Sequence, residues 1–349
     1  MEKPDLSNVA PDVAAYIEYL EKQLGHLRTQ PAAPVRNTQE VEDPSLPPLE
    51  ATEPPTTFQI ITLSRGGLIK RTARHLYERQ RRGGIGIFDM DLPDHDAPFR
   101  LCHADETELL LLITNKARAF RLRVDQITSG PVRSKGQPVR SLVNLHEDEY
   151  PAVLLPASRG VTLVVLSEKG YARTLPAHVV GMGMTPGVAL YRSPEFGPVV
   201  DACWSSGKGD VFIATRNGLG IRFAEKTLLV PGSLGIRLEN GDVAVGVEAV
   251  QSPDGENILL VGGDGRGTIR LMEGFSPNKA PGGGGKIAFK GEKNIGALAV
   301  TDESDVFIIS KLGKIIRFKA NEIPPKEGVV QGVSCMSPRG DECVAMVAT

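Results

Sequence analysis

Residues 80–86 read Gln80-Arg81-Arg82-Gly83-Gly84-Ile85-Gly86. Adjacent guanidiniums beside glycines suit one kind of chemistry, the binding of phosphate. Arginine offers planar N–H donors that match phosphate oxygens. Glycine, with no Cβ, lets backbone N–H groups approach an anion and permits a tight loop. The neighbourhood is basic. Residues 65–82 carry Arg65, Lys70, Arg71, Arg74, Arg79, Arg81 and Arg82 against a single acid, Glu78. Residues 116–140 carry Lys116, Arg118, Arg121, Arg123, Arg133, Lys135 and Arg140 against Asp125. Clustered cations release counterions when they meet nucleic-acid phosphates, so local density outweighs a net charge of −2. Gln80, Arg81, Arg82, Gly83, Gly84 and Gly86, with the cations of both runs, are therefore the candidate duplex-DNA contacts. A solvated charged surface is the plainer reading of the same cations, and a loop linking two structural units the plainer reading of the glycines.

Little else in the chain suggests chemistry. The six histidines, 26, 75, 95, 103, 146 and 178, form no H-x-x-x-H pair, and no P-loop is present. The four cysteines, 102, 203, 335 and 343, lack C-x-x-C spacing and read as reduced, buried thiols. No metal, cofactor or catalytic residue is expected. No apolar run reaches the roughly 18 residues of a membrane helix, and no signal-peptide core opens the chain, so a cytoplasmic protein is expected. With few aromatics, a stacking platform for single strands is not expected.

The elements that must position these residues repeat. A hydrophobic strand runs into a polar turn and out toward a basic residue six times: Ile60 to Arg71, Leu110 to Arg121, Val164 to Arg173, Val211 to Arg222, Ile258 to Arg270 and Val306 to Arg317. Between the turn residues 64, 114, 167, 215, 263 and 310 the spacings are 50, 53, 48, 48 and 47 residues. A fixed period of this size marks a repeat architecture. Each period holds four short strands. In the fourth these are Val211–Ala214, Leu219–Phe223, Gly235–Leu238 and Ala244–Val250, with Asn217-Gly218 supplying the tight turn. The prediction is an all-β, six-bladed β-propeller over 58–349, with a solenoid as the competing arrangement.

The first 57 residues differ. Pro11 to Leu27 reads as a helix, with Val13, Ile17, Leu20, Leu24 and Leu27 at coiled-coil spacing. So short a helix is marginal alone, which implies self-association, a foreign partner or docking on its own propeller. Residues 1–30 are assigned to this helix and 31–57 to a Pro-rich, disordered, acidic linker. Residues 1–57 carry a net charge of −6, leaving +4 on the repeats. The acids from Glu40 to Glu53 could compete with DNA for the basic surface, or simply solubilise the linker.

The Q-R-R-G-G-x-G box, in the first of six repeats, resembles the hallmark of the C-terminal domain of the DNA gyrase and topoisomerase IV A subunits. Degenerate counterparts stand at Arg133–Gly136, Val180–Gly183, Val230–Gly235, Pro281–Gly285 and Val330–Gly332. The resemblance implies a six-bladed β-pinwheel with strands exchanged between blades, which bends duplex DNA around its rim without sequence preference. The family usually has Lys or Arg where this chain has Ile85. In gyrase the cleavage tyrosine lies in a large N-terminal domain with a winged helix. Only 57 residues precede the repeats here, so this chain is expected not to be an enzyme alone. The alternatives are a protein-interaction propeller, or a topoisomerase accessory subunit that joins its core through the N-terminal helix.

Overall fold

In the computed structural model, the described residues are Ile17, 53–251, 257–278 and 280–349. The chain divides into two compact units, Met1–Pro48 and Leu49–Thr349. Of Met1–Pro48, only Ile17 is described, in helical conformation. The expected seam of Val13, Leu20, Leu24 and Leu27 and nearly all of the linker lie outside the described residues.

Leu49–Thr349 forms the expected six blades, each an antiparallel four-stranded sheet. Among its described residues the one α-helix is a single turn, Ser193–Phe196. In every blade the first hairpin strand is central and buried, as in Leu109–Thr114, Asp210–Thr215 and Asp305–Ser310. Burial on both faces explains why these strands read as continuous apolar runs rather than alternating ones. The long strands Pro98–Asp105, Pro151–Pro156, Val199–Ser205, Ala244–Val250, Asn294–Val300 and Cys343–Ala348 adjoin one another in a closed ring around the axis. Apolar clusters fill the space between neighbouring sheets.

The fourth strand of each blade comes from the next repeat. Ser233–Leu234, from the fourth repeat, pairs with Tyr171-Ala172 in blade 3. Each period does hold four strands, but the third, expected at Gly235–Leu238, is Ser233–Leu234 and joins the neighbouring sheet, in agreement with the exchange that the resemblance implies. The ring closes the same way. Ile87–Phe88, from the first repeat, pairs with Ile315 and Lys314 in blade 6.

The turns show why Ser or Thr recurs at the period. Ser64, Thr114, Ser167, Thr215 and Ser310 each accept a backbone N–H four residues on, at 2.9 to 3.2 Å. A bulge in the pairing with the axial strand falls at the same place in every blade, as between Leu63 and Ser64. In blade 5 the counterpart is Gly262, not the expected Gly263, because Val261 pairs with Gly267 as Ala214 does with Gly220. Asp264 supplies the missing cap by accepting from Arg266 N at 3.0 Å.

That register also corrects the periodic arginine. Arg71, Arg121, Arg222 and Arg317 pair with strand residues at equivalent positions. Arg173 falls one place early and Arg270 one place late, which sends each to the opposite face of its sheet.

Candidate nucleic-acid interface

Three of the four in-register arginines, Arg71, Arg222 and Arg317, prove to be interblade staples. Arg71 Nε donates to Ile127 O (2.9 Å) in the second repeat. Arg222 Nη1 donates to Met272 O (2.6 Å) and Phe275 O (3.2 Å) in the fifth. Arg317 Nη1, in the sixth, donates to Arg74 O (3.2 Å) and Tyr77 O (3.0 Å) in the first. Each thus ties a blade to the short turn of the next repeat. Arg317 also pairs with Asp305 and with Glu53 (2.6 Å), and Arg79 and Arg74 clamp the same two carboxylates. Burial pushes the Asp305 and Glu53 carboxyls upward, but the arginines outweigh it and hold both below the usual carboxylate range. Glu53, from the acidic leader, is therefore spent on this seam between blades 6 and 1.

The glycine-arginine box belongs to the same seam. Gly83 N donates to Cys335 O (2.7 Å) and Gly84 N to Arg81 O (3.3 Å), so neither amide is available to a phosphate. Arg82 Nε donates to Glu322 O (2.7 Å) and its Nη1 to Ser334 O (3.3 Å). Gln80 N donates to Arg317 O (2.8 Å). Arg81 is half-buried and has an interaction of its own. Gly86 has φ +78°, and a Cβ there would stand 2.6 Å from Ile315 O. Glycine is needed for that close approach, not for an anion. Beyond the box, buried Asp89 accepts from Thr62 (2.6 Å) and Tyr77 (2.6 Å) and pairs with buried Lys70 at 2.9 Å. Box and anchor together latch the ring, and Lys70 is sealed from any ligand.

The other candidate cations divide by place. Arg118 bonds Glu149 (2.6 Å) and Gly187 O (3.2 Å). Arg121 is half-buried, with its Nη1 unpartnered among the described residues. Arg65 lines an axial cavity of about 410 Å³ with Arg100, Arg216, Lys293, Glu168 and Glu342, rather than the rim. Arg140 is exposed, but clamps the carbonyls of Leu145, His146, Glu147 and Glu149. Lys116 sits at a hairpin tip with Asp148 (2.7 Å), and Arg123 pairs with Asp125. Arg133 and Lys135 do lie on an outer loop, the one that leads into the exchanged strand Gln137–Pro138. Both are exposed, and Arg133 is 69% exposed beside Asp91 (3.3 Å). An exposed pair of this kind contributes little, so its cation can be shared with a phosphate.

The structure assembles a second basic site that sequence reasoning missed. Arg266, Lys290 and Lys326 are exposed around a groove of about 550 Å³ between blade 5 and connecting segments of the fifth and sixth repeats. Each comes from a different segment, so no local run signals them. Lys286 is exposed on the adjoining exchanged strand.

A closed ring of six sheets, each completed by a strand from the next repeat, defines the β-pinwheel class. The family model of the DNA gyrase C-terminal domain, a β-propeller, matches residues 59–97, 108–150, 209–251 and 304–326. The subunits A of DNA gyrase from Staphylococcus epidermidis and Staphylococcus aureus are each 27% identical over 301 residues. Those matches cover 83% of this chain but 34% of each relative, so the chain spans about a third of their length. Among solved structures, a DNA gyrase A C-terminal domain superposes with TM-score 0.73 at 19% identity, covering 83% of this chain and 99% of that domain. The C-terminal domain of DNA topoisomerase IV gives 0.60 at 17% identity, covering 84% and 93%.

Proposed function

We propose that the pinwheel binds duplex DNA through its phosphates, without sequence preference, and bends it along the rim. The observation that carries this reading is the placement of exposed Arg133 and Lys135 on one outer loop and Arg266, Lys290 and Lys326 around one groove, in a chain that matches a gyrase family model. Phosphate contacts position the duplex and carry no base information. Bending 20–30 base pairs costs on the order of 1–6 kcal/mol, so contacts spread along an arc must offset it. The box acts indirectly, by holding blades 6 and 1 in one ring and so keeping the basic loops at fixed spacing. We read the chain as a non-catalytic DNA-binding protein of the cytoplasm. Among the described residues, no helix is long and apolar enough to cross a membrane. The seam of Val13, Ile17, Leu20, Leu24 and Leu27 would carry assembly, with a second copy or a topoisomerase subunit.

The test is fluorescence anisotropy with linear duplexes of unrelated sequence, titrated at low and moderate salt. Similar affinities that fall together as salt rises are expected. No binding even at low salt would leave the interaction-propeller reading in its place. Relaxing a closed circle with a topoisomerase in the presence of the protein then reads wrapping directly, as supercoils retained after the protein is removed.

A further inference from the structure

The outer loops before the exchanged strands are equivalent in the ring, but their tips differ in kind. In the box, the bond from Gly84 N to Arg81 O places Arg82-Gly83 at the tip. In the third repeat, Met184 N donates to Gly181 O (3.0 Å), which places Met182-Gly183 there. In the fourth, Gly232 N donates to Leu229 O (2.9 Å), which places Val230-Pro231 there. These two apolar tips are not folded back. Met182 is 82% exposed, Val230 77% and Leu229 60%. The loops themselves are held firmly. Gly187 N donates to Ala119 O (2.7 Å), and Arg173 Nε donates to Val230 O (2.9 Å) and its Nη1 to Leu190 O. The tips are thus apolar points on braced turns.

We propose that Met182 and the Leu229-Val230-Pro231 tip are wedges that enter base steps of the bound duplex and kink it. The inference rests on the DNA-binding reading above. Apolar side chains of this type, Met, Leu and Pro among them, partly unstack a step and bend the duplex when a protein inserts them. The tips lie on loops that, like the Arg133 loop of the second repeat, run directly into an exchanged strand, so a duplex following the rim passes over them. Exposed Lys226, three residues before Leu229, and exposed Arg237 flank the second tip and can hold the adjoining phosphates. A protein partner fits less well. The loops lead into different sheets, blades 2 and 3, so the tips are separate points rather than the contiguous patch that protein docking uses. Sheets packed about 10 Å apart would set the wedges at least about three base steps from one another.

The experiment uses the full chain and linear duplexes carrying 2-aminopurine at successive positions. Anisotropy reports binding, and 2-aminopurine emission reports unstacking in the same titration. Emission should rise about twofold or more at discrete positions on binding. In the variant Met182→Ser, Leu229→Ser, Val230→Ser, the rise should vanish while the salt dependence of binding and the melting temperature stay as in the wild type. Binding with no rise at any position overturns the wedges and leaves the DNA-binding reading intact. Absence of binding overturns both. A variant that keeps the rise but sediments as a smaller species assigns the tips to self-association and overturns the proposal.

Discussion

The seam between blades 6 and 1 and the loops on either side of blade 3 use the same backbone device to opposite ends. At the seam, the tip turns inward. Arg82 spends its donors on Glu322 O and Ser334 O, and Arg317, Arg79 and Arg74 bury the carboxylates of Asp305 and Glu53. Around blade 3 the tips turn outward, and nothing among the described residues covers Met182 or Val230. The difference teaches that basic density along a chain is not basic surface. The most arginine-rich segment of this protein is a latch.

The largest expected effect separates the two regions by stability. Arg317→Ala removes the buried guanidinium that Asp305 and Glu53 share, leaves them only Arg79 and Arg74, strands the carbonyls of Arg74 and Tyr77, and should destabilise the fold by about 3 kcal/mol in urea unfolding. Replacing Met182 or Val230 by Ser should change it by less than about 0.5 kcal/mol. Equal losses in the two regions would erase the distinction.

Glycine substitutions sharpen it. Gly86→Ala forces φ +78° on a residue with a Cβ and drives that atom toward Ile315 O, for a loss of about 1–3 kcal/mol. Gly183→Ala, with nothing within 4 Å of its Cβ, should be near neutral in the same urea unfolding.

Acid should weaken the seam. Burial first, then Arg74, lowers the His103 pKa to about 4, beside the Phe58 ring. The unfolded chain binds that proton near pH 6.5, so stability falls as pH drops from about 6.5 to 4. Asp305 and Glu53, held below their usual range, add a loss that continues as they protonate at lower pH. Asp201 works the other way. Burial raises its pKa to about 6, so its contribution is lost as pH rises toward 6. His103→Phe should flatten the melting temperature between pH 6.5 and 4.

Much of the fold was legible because it depends on period and pattern. Runs such as Leu110 to Ile113 and Val306 to Ile309 announce strands buried on both faces, and their spacing announces six units. The exchange of strands was not legible from the residues, because a two-residue pairing such as Ser233–Leu234 with blade 3 leaves no periodic trace. The site was less legible still. Lys70 and Arg133 look alike in a charge count, yet one is sealed against Asp89 and the other faces water. Arg266, Lys290 and Lys326 are far apart in sequence, and the pairing of the sixth repeat with blade 5 brings them around one groove. The box was read for its donors, whereas the partners of those donors, in the last repeat, decide its role.

The most direct test of this division of labour is the dependence of log affinity on log salt for linear duplex DNA. Each phosphate neutralised contributes a slope of about −0.9. Arg133→Ala with Lys135→Ala should lower the magnitude of that slope by about two at unchanged melting temperature. Arg82→Ala, measured well below its melting temperature, should leave the slope as in the wild type, because its guanidinium is engaged within the ring. A full slope in the Arg133/Lys135 variant together with a reduced one in Arg82→Ala would contradict the account and return the phosphate contacts to the box.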